Sequence, residues 1–344
     1  MADFENATPF GVRLMPSADR DGRDLLLIVV AARFALARPG ATTAGLRLAD
    51  TQGPAPMADE YVGEPGRSGL RLEGQTAYTR PATDISILGH ACAANERPVR
   101  HMSVNVRVGP CFTRLHVHGD RVWERAVVGA RPSQAVPYLR IPLVWERAFG
   151  GVAASSTEGR PAFEPRNPVG CGLQTNSTDA VDKPVPNIED PQGPITRLSD
   201  RPQPVGLTPI ARHWQPRVGY AGTYDEAWRR ERAPLWPKDF DERFFCGAPH
   251  QLQVRPHLQG GEQVVLEGLH SEGVISFNLP TLSFVARSRF VDRAVRTTPV
   301  LDGVVIDTDA LELTMYFRSF VSAPLSLLKH RETLLRLLEP WETT

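Results

Sequence analysis

The chain has 344 residues, 41% of them hydrophobic, and its 39 Lys plus Arg balance 39 Asp plus Glu. This is enough apolar material to bury the core of one large domain or two packed ones. A formal net charge of zero excludes the global field that draws a protein to nucleic acid or an anionic membrane, and leaves only a local basic face open.

From the N-terminus, the strongest apolar run is LLLIVVAA at 25–32. It is too short to span a bilayer. The mixed charges of Asp19, Arg20, Asp21, Arg23 and Asp24 before it do not form the basic start of an export signal. It reads as a buried strand. MSVNVRVG (102–109) alternates Val104, Val106 and Val108 with Asn105 and Arg107, the period of a half-buried strand. A Gly-Pro turn leads from it into FTRLHVHG (112–119), which makes the pair a hairpin. Residues 1–150 thus form a first β region.

Residues 151–206 are rich in Pro, Gly, Asn and Ser, as in RPAFEPRNPVGCG and DKPVPNIEDPQGP. A connection this long without its own elements points to ordered loops, which either pack over the sheets or carry function. Residues 207–248 form an aromatic connecting segment. It holds the central helix, capped by Thr223 or Asp225, continuing through AWRRERA and ended by Pro234. In 249–344, VVLEGL (264–269), VISFNL (274–279), LSFVARS (282–288), GVVIDT (303–308) and LELTMYF (311–317) read as strands. SLLKHRETLLRLLE (326–339) places Leu327, Leu328, Leu334, Leu335 and Leu338 on a roughly helical face. The expected fold is mainly β. Antiparallel sheets, sandwich or barrel-like, carry long ordered loops, one short central helix and a C-terminal helix, in one continuous domain or two intimately packed β subdomains.

Catalytic motifs are scarce. GxSxG, HExxH, Walker A and GxGxxG are all missing, which removes sequence support for the hydrolase elbow, zinc proteolysis and nucleotide-phosphate cradles. Cys92, Cys111, Cys171 and Cys246 show no CxxC spacing, so neither a zinc knuckle nor a disulfide framework is expected, and reduced thiols fit a cytoplasmic protein. His116-Val-His118 puts two imidazoles on one strand face, with Cys111 or His101 to complete a metal site; the polar side of a hairpin is the simpler reading. Asp307-Thr-Asp309 and Glu189-Asp190 sit in turn contexts. No metal and no cofactor is expected.

VWERA occurs twice, at 122–126 and 144–148, which offers Glu124 and Glu146 as a glycosidase-like pair. The flanks disagree, GDR before one and IPL before the other, so this is no duplicated unit. Arg147, close to Gly150 and Gly151, instead reads as the anchor of a tight turn through backbone carbonyls or a buried carboxylate.

Several segments together carry a family resemblance: GDRVW (119–123), ERAFGG (146–151), NPVG (167–170), PNIEDP (186–191), PIARHWQPR (209–217), YAGTYDEAW (220–228), DFDERFF (239–245) and Ala248-Pro249. Their order and spacing, over about residues 5–320, resemble the bacterial adaptor or chaperone family of type VI secretion, long known only as a domain of unknown function. The resemblance implies a non-catalytic cytoplasmic protein. It would bind the N-terminal, PAAR-containing region of a toxic effector and help load it onto the spike protein, itself a possible partner. Asp120, Arg121, Glu146, Arg147, Gly150, Gly151 and Asn187 then belong to structural motifs. The aromatic segment 212–245 combines eight aromatic residues with six arginines, the side chains that dominate interface hot spots. It offers Trp214, Arg217, Tyr220, Tyr224 and Trp228 as effector contacts, against core packing as the competing reading. The rival functions are a cell-wall or sugar hydrolase using Glu/Asp pairs and an immunity-type inhibitor of a neighbouring toxin.

Overall fold

The computed structural model describes residues 3–40, 45–127, 129–153, 161–323 and 327–338. LLLIVVAA lies in the strand Asp24–Ala35, and residues 25–32 are buried without a break. A strand covered on both faces needs apolar side chains at every position, and this one sits inside the largest sheet. The order there is Gln253–Val254, Thr83–Leu88, Val300–Asp307, Glu312–Ser322, Asp24–Ala35 and Gly11–Ala18, with Arg47–Leu48 appended to Asp24–Ala35. Only Thr83–Leu88 and Val300–Asp307 run parallel. Strands from both ends of the chain are therefore combined within a single sheet.

The hairpin lies in a five-stranded sheet, ordered Ile188–Glu189, Cys111–His118, His101–Val108, Gln263–Glu267 and Ile275–Asn278. Val104, Val106 and Val108 point inward as their alternation requires. They join Ile28, Val30, Ile85, Ile87, Val304 and Met315 of the large sheet in one continuous core, a sandwich arrangement. None of the sheets closes into a barrel.

The C-terminal segment departs from expectation. Leu327–Lys329 is a 3-10 turn and His330–Leu337 is a strand, not a helix. It is inserted between Asp3–Ala7, which it pairs in parallel, and Phe284–Phe290, which it pairs antiparallel. Thr333 and Leu335 are buried two residues apart, and Thr333 Oγ1 lies 2.8 Å from Ser288 Oγ across the ladder. A leucine-rich run fits either period; here pairing on both sides supplies what helix propensity would otherwise decide. The central helix is Glu226–Glu231, with Asp225 as its cap through the Trp228 amide.

The described parts of 151–206 hold Cys171–Gly172, Ser177–Ala180, Pro184–Val185 and Ile188–Glu189. They cover a satellite core of Trp123, Phe149, Leu173, Val185 and Ile195.

Candidate partner-binding groove

The motif residues meet in one polar network. Arg147 Nη1 donates to Asp120 Oδ1 at 3.0 Å and to Asn187 Oδ1 at 2.9 Å. Asn187 Nδ2 donates to His118 O and Asp120 Oδ1, both at 3.0 Å, while its amide N–H donates to Arg147 O. Asp120 is exposed, so the carboxylate that holds Arg147 is a surface group rather than a buried one. Arg121, buried beside it, donates to Pro186 O and to Glu189. Burial alone would raise the Glu189 carboxyl, but His118 and Arg121 outweigh it and hold the group below its usual range. Glu189 thus sits in a short buried strand, not in an exposed turn.

NPVG closes the opposite side. Asn167, fully buried, donates from Nδ2 to Trp145 O at 2.8 Å and Phe149 O at 2.9 Å. Gly150 and Gly151 have φ of +149° and +88°, and a Cβ on either would fall 2.2 Å from a carbonyl oxygen of Asn167 or Gly170. Only glycine fits this crossing. The two VWERA copies differ accordingly: Arg121–Arg125 is a strand, whereas Trp145–Arg147 is a 3-10 turn. Glu124 pairs with Arg131, and Glu146 accepts from the Gly69 amide at 2.6 Å, so the two carboxylates have separate partners.

This scaffold fixes Trp145, whose Nε1 donates to Thr208 O and Pro209 O. One side of Trp145 meets Trp214 edge-to-face at 6.1 Å. The other lines a cavity of about 500 Å³ together with Phe112, Arg114, Val205 and His250. A second cavity of about 370 Å³ is lined by Tyr220, Arg243, Arg255 and Gln253. Ile210, Pro216 and His250 line both, so the two cavities adjoin and are treated together as one groove.

The five candidate contacts separate here. Trp214 and Arg217 are each only 1% exposed. Burial removes them as direct contact side chains in this structure: Trp214 backs the groove floor, and Arg217 reaches only the wall of the second cavity. Tyr220 lines the groove, with the Arg243 guanidinium 4.4 Å above its ring. Tyr224, 51% exposed and just before the short helix, packs edge-on against Trp228 of that helix at 4.7 Å, and neither residue lines the two cavities.

Arg217 belongs to a buried charged cluster that the motifs did not reveal. It donates to Glu73 at 2.6 Å and to Phe244 O and Ile210 O. Arg80 reaches Glu73 at 3.2 Å, and Arg318 pairs with Asp302. Burial would raise Glu73, but Arg217, Arg80 and Arg212 overcome it and hold the carboxyl low. At Asp84 burial prevails, and its carboxyl is pushed up to about 6 despite two backbone donors from Gly247 and Ala248. The available signal was a charge inside an apolar strand, as in TDISIL and LTMYFR.

Other chemistry-bearing groups are committed to structure. His118 faces Glu189 at 3.5 Å, and no group of three or more His, Cys, Asp or Glu is poised to hold a metal among the described residues. Asp307 caps the turn through Asp309 and Ala310 amides. Asp309 pairs with His90 and Arg140, close to Cys92. Burial pushes the Cys92 thiol up, away from a reactive thiolate.

A family model described as an uncharacterized protein conserved in bacteria (DUF2169) matches residues 21–318. The chain belongs to this family. No curated protein and no solved structure matches it. The match runs from just before the strand Asp24–Ala35 through the groove to Arg318, and leaves out the strands Asp3–Ala7, Gly11–Ala18 and His330–Leu337. No helix among the described residues is long and apolar enough to cross a membrane.

Proposed function

We propose that this DUF2169 protein is a non-catalytic adaptor of type VI secretion. It binds the N-terminal, PAAR-containing region of an effector in the cytoplasm and hands it to the spike. The observation that supports the reading is the pair of adjoining cavities, with Ile210, Pro216 and His250 common to both and Tyr220, Arg243 and Arg255 on the walls of the second. Interfaces depend on such anchors because aromatic and guanidinium groups combine large contact area with directional hydrogen bonds. The motif resemblance supplies the choice of partner. Tyr220 contacts the effector directly; Tyr224 and Trp228 form an auxiliary surface on the short helix.

Co-expression with each half of the effector encoded beside this chain tests the proposal. Capture and improved solubility of the N-terminal half are expected. Capture of only the toxic half would make the protein an inhibitor, and capture of neither half would remove the adaptor reading.

A further inference from the structure

We infer that the groove receives an extended acidic segment of a protein partner, in which carboxylates flank an apolar residue. The inference deepens the adaptor reading and rests on it for the nature of the partner. It starts from charge. Among the described residues lining the two cavities there is one carboxylate, Asp190, and its Oδ1 is engaged by the Gln192 amide in a turn. The same walls hold Arg114, Arg217, Arg243 and Arg255. The chain as a whole is neutral, so this is a local concentration of positive charge.

Two of these arginines are already neutralised. Arg217 pairs with Glu73 and Arg243 with Asp241. Arg114 donates Nε only to the neutral amide of Asn105 and lies over the Phe112 ring at 5.7 Å. Arg255 is exposed. Neither Arg114 nor Arg255 reaches a carboxylate within salt-bridge distance among the described residues. One lines the first cavity and the other the second, on either side of the shared Ile210, Pro216 and His250. Ile210 and Pro216, which line both cavities, give the span between them an apolar character. A complementary ligand therefore carries negative charge at both ends and an apolar group in the middle. Guanidinium forks favour planar carboxylates, and complementarity of this kind sets partner choice and encounter rate.

The test uses the full chain and three fluorescent peptides of equal length: one with Glu flanking a central Leu, its Gln counterpart and its Lys counterpart. Anisotropy titrations are run on the wild type and on the double variant Arg114→Gln, Arg255→Gln, with unchanged melting as the folding control. The acidic peptide should bind at least about tenfold more tightly than the Gln peptide, and the double variant should erase that difference. Equal binding of the Gln peptide, or no binding of any peptide, would overturn the inference. So would displacement of the acidic peptide by succinate or by a single-stranded oligonucleotide at comparable concentration. The wild-type peptide comparison decides even if the variant does not fold. Effector capture separates the two levels: undiminished capture by the folded double variant removes the acidic groove and leaves the adaptor. Loss of wild-type capture with acidic-peptide binding intact removes the adaptor and leaves the groove.

Discussion

Asn167 shows how one side chain holds the groove floor. Its amide nitrogen satisfies the carbonyls of Trp145 and Phe149, and the residue is fully buried. Asn167→Ala leaves both carbonyls without that donor and should cost about 2–4 kcal/mol in urea unfolding. Asn167→Asp should be worse, because it turns a donor into an oxygen facing two carbonyl oxygens. A variant within about 0.5 kcal/mol of wild type would remove Asn167 from the scaffold. Asp84 makes a separate, pH-dependent prediction. Its folded value of about 6 lies above the ordinary 3.8, so the native state holds the proton more tightly. The resulting stabilisation is present at low pH and is lost as pH rises through about 6. Glu73, held low, acts in the opposite sense and only below its ordinary value of 4.5. Urea unfolding at pH 4.5 and 7.0 should therefore show wild type losing roughly 2 kcal/mol relative to Asp84→Asn; parallel behaviour of the two would contradict it. Sequence alone left Trp214 between core and contact. Aromatic enrichment marks both environments alike, and only the folded chain shows Trp214 in the core, 1% exposed.

At the level of elements, strand periodicity was readable where one face is solvated. MSVNVRVG announced its inward valines, and the turn after it fixed the hairpin. The continuous run 25–32 was readable as a strand from its length and β-branched content. His330–Leu337 was not, because its partners Asp3–Ala7 and Phe284–Phe290 are remote in sequence and leucine spacing alone serves both periods. The Gly150-Gly151 turn was readable as a tight turn but not in its partners. Gly151→Ala would combine a φ of +88° with a Cβ 2.2 Å from Gly170 O. It should destabilise by about 3 kcal/mol or more in chemical unfolding. A loss under about 1 kcal/mol would mean that the crossing of 150–151 over 167–170 is not needed for the fold.

On the scale of the molecule, the segments around Phe112, Trp145, Asp190, Gln203, Ile210 and His250 converge on one groove. No local pattern links them, which is why the family motifs were legible while the surface they build was not. Asp120, Arg147 and Asn187 are joined in one hydrogen-bond network, and Asn167 fixes the backbone at Trp145, which lines the first cavity. Arg114 and Arg255, which carry the charge of the groove, lie outside the quoted motifs. The DUF2169 protein thus presents, on a β scaffold, cavities lined by aromatic and cationic side chains, the surface on which the proposed adaptor role rests. The most direct test is hydrogen–deuterium exchange of the full protein with and without the N-terminal region of the effector proposed as its partner. New protection should appear at 112–114, 190–192, 203–205 and 249–255, around the groove. Protection confined to 223–239, around Tyr224 and Trp228, would contradict the account and move the binding face to the short helix.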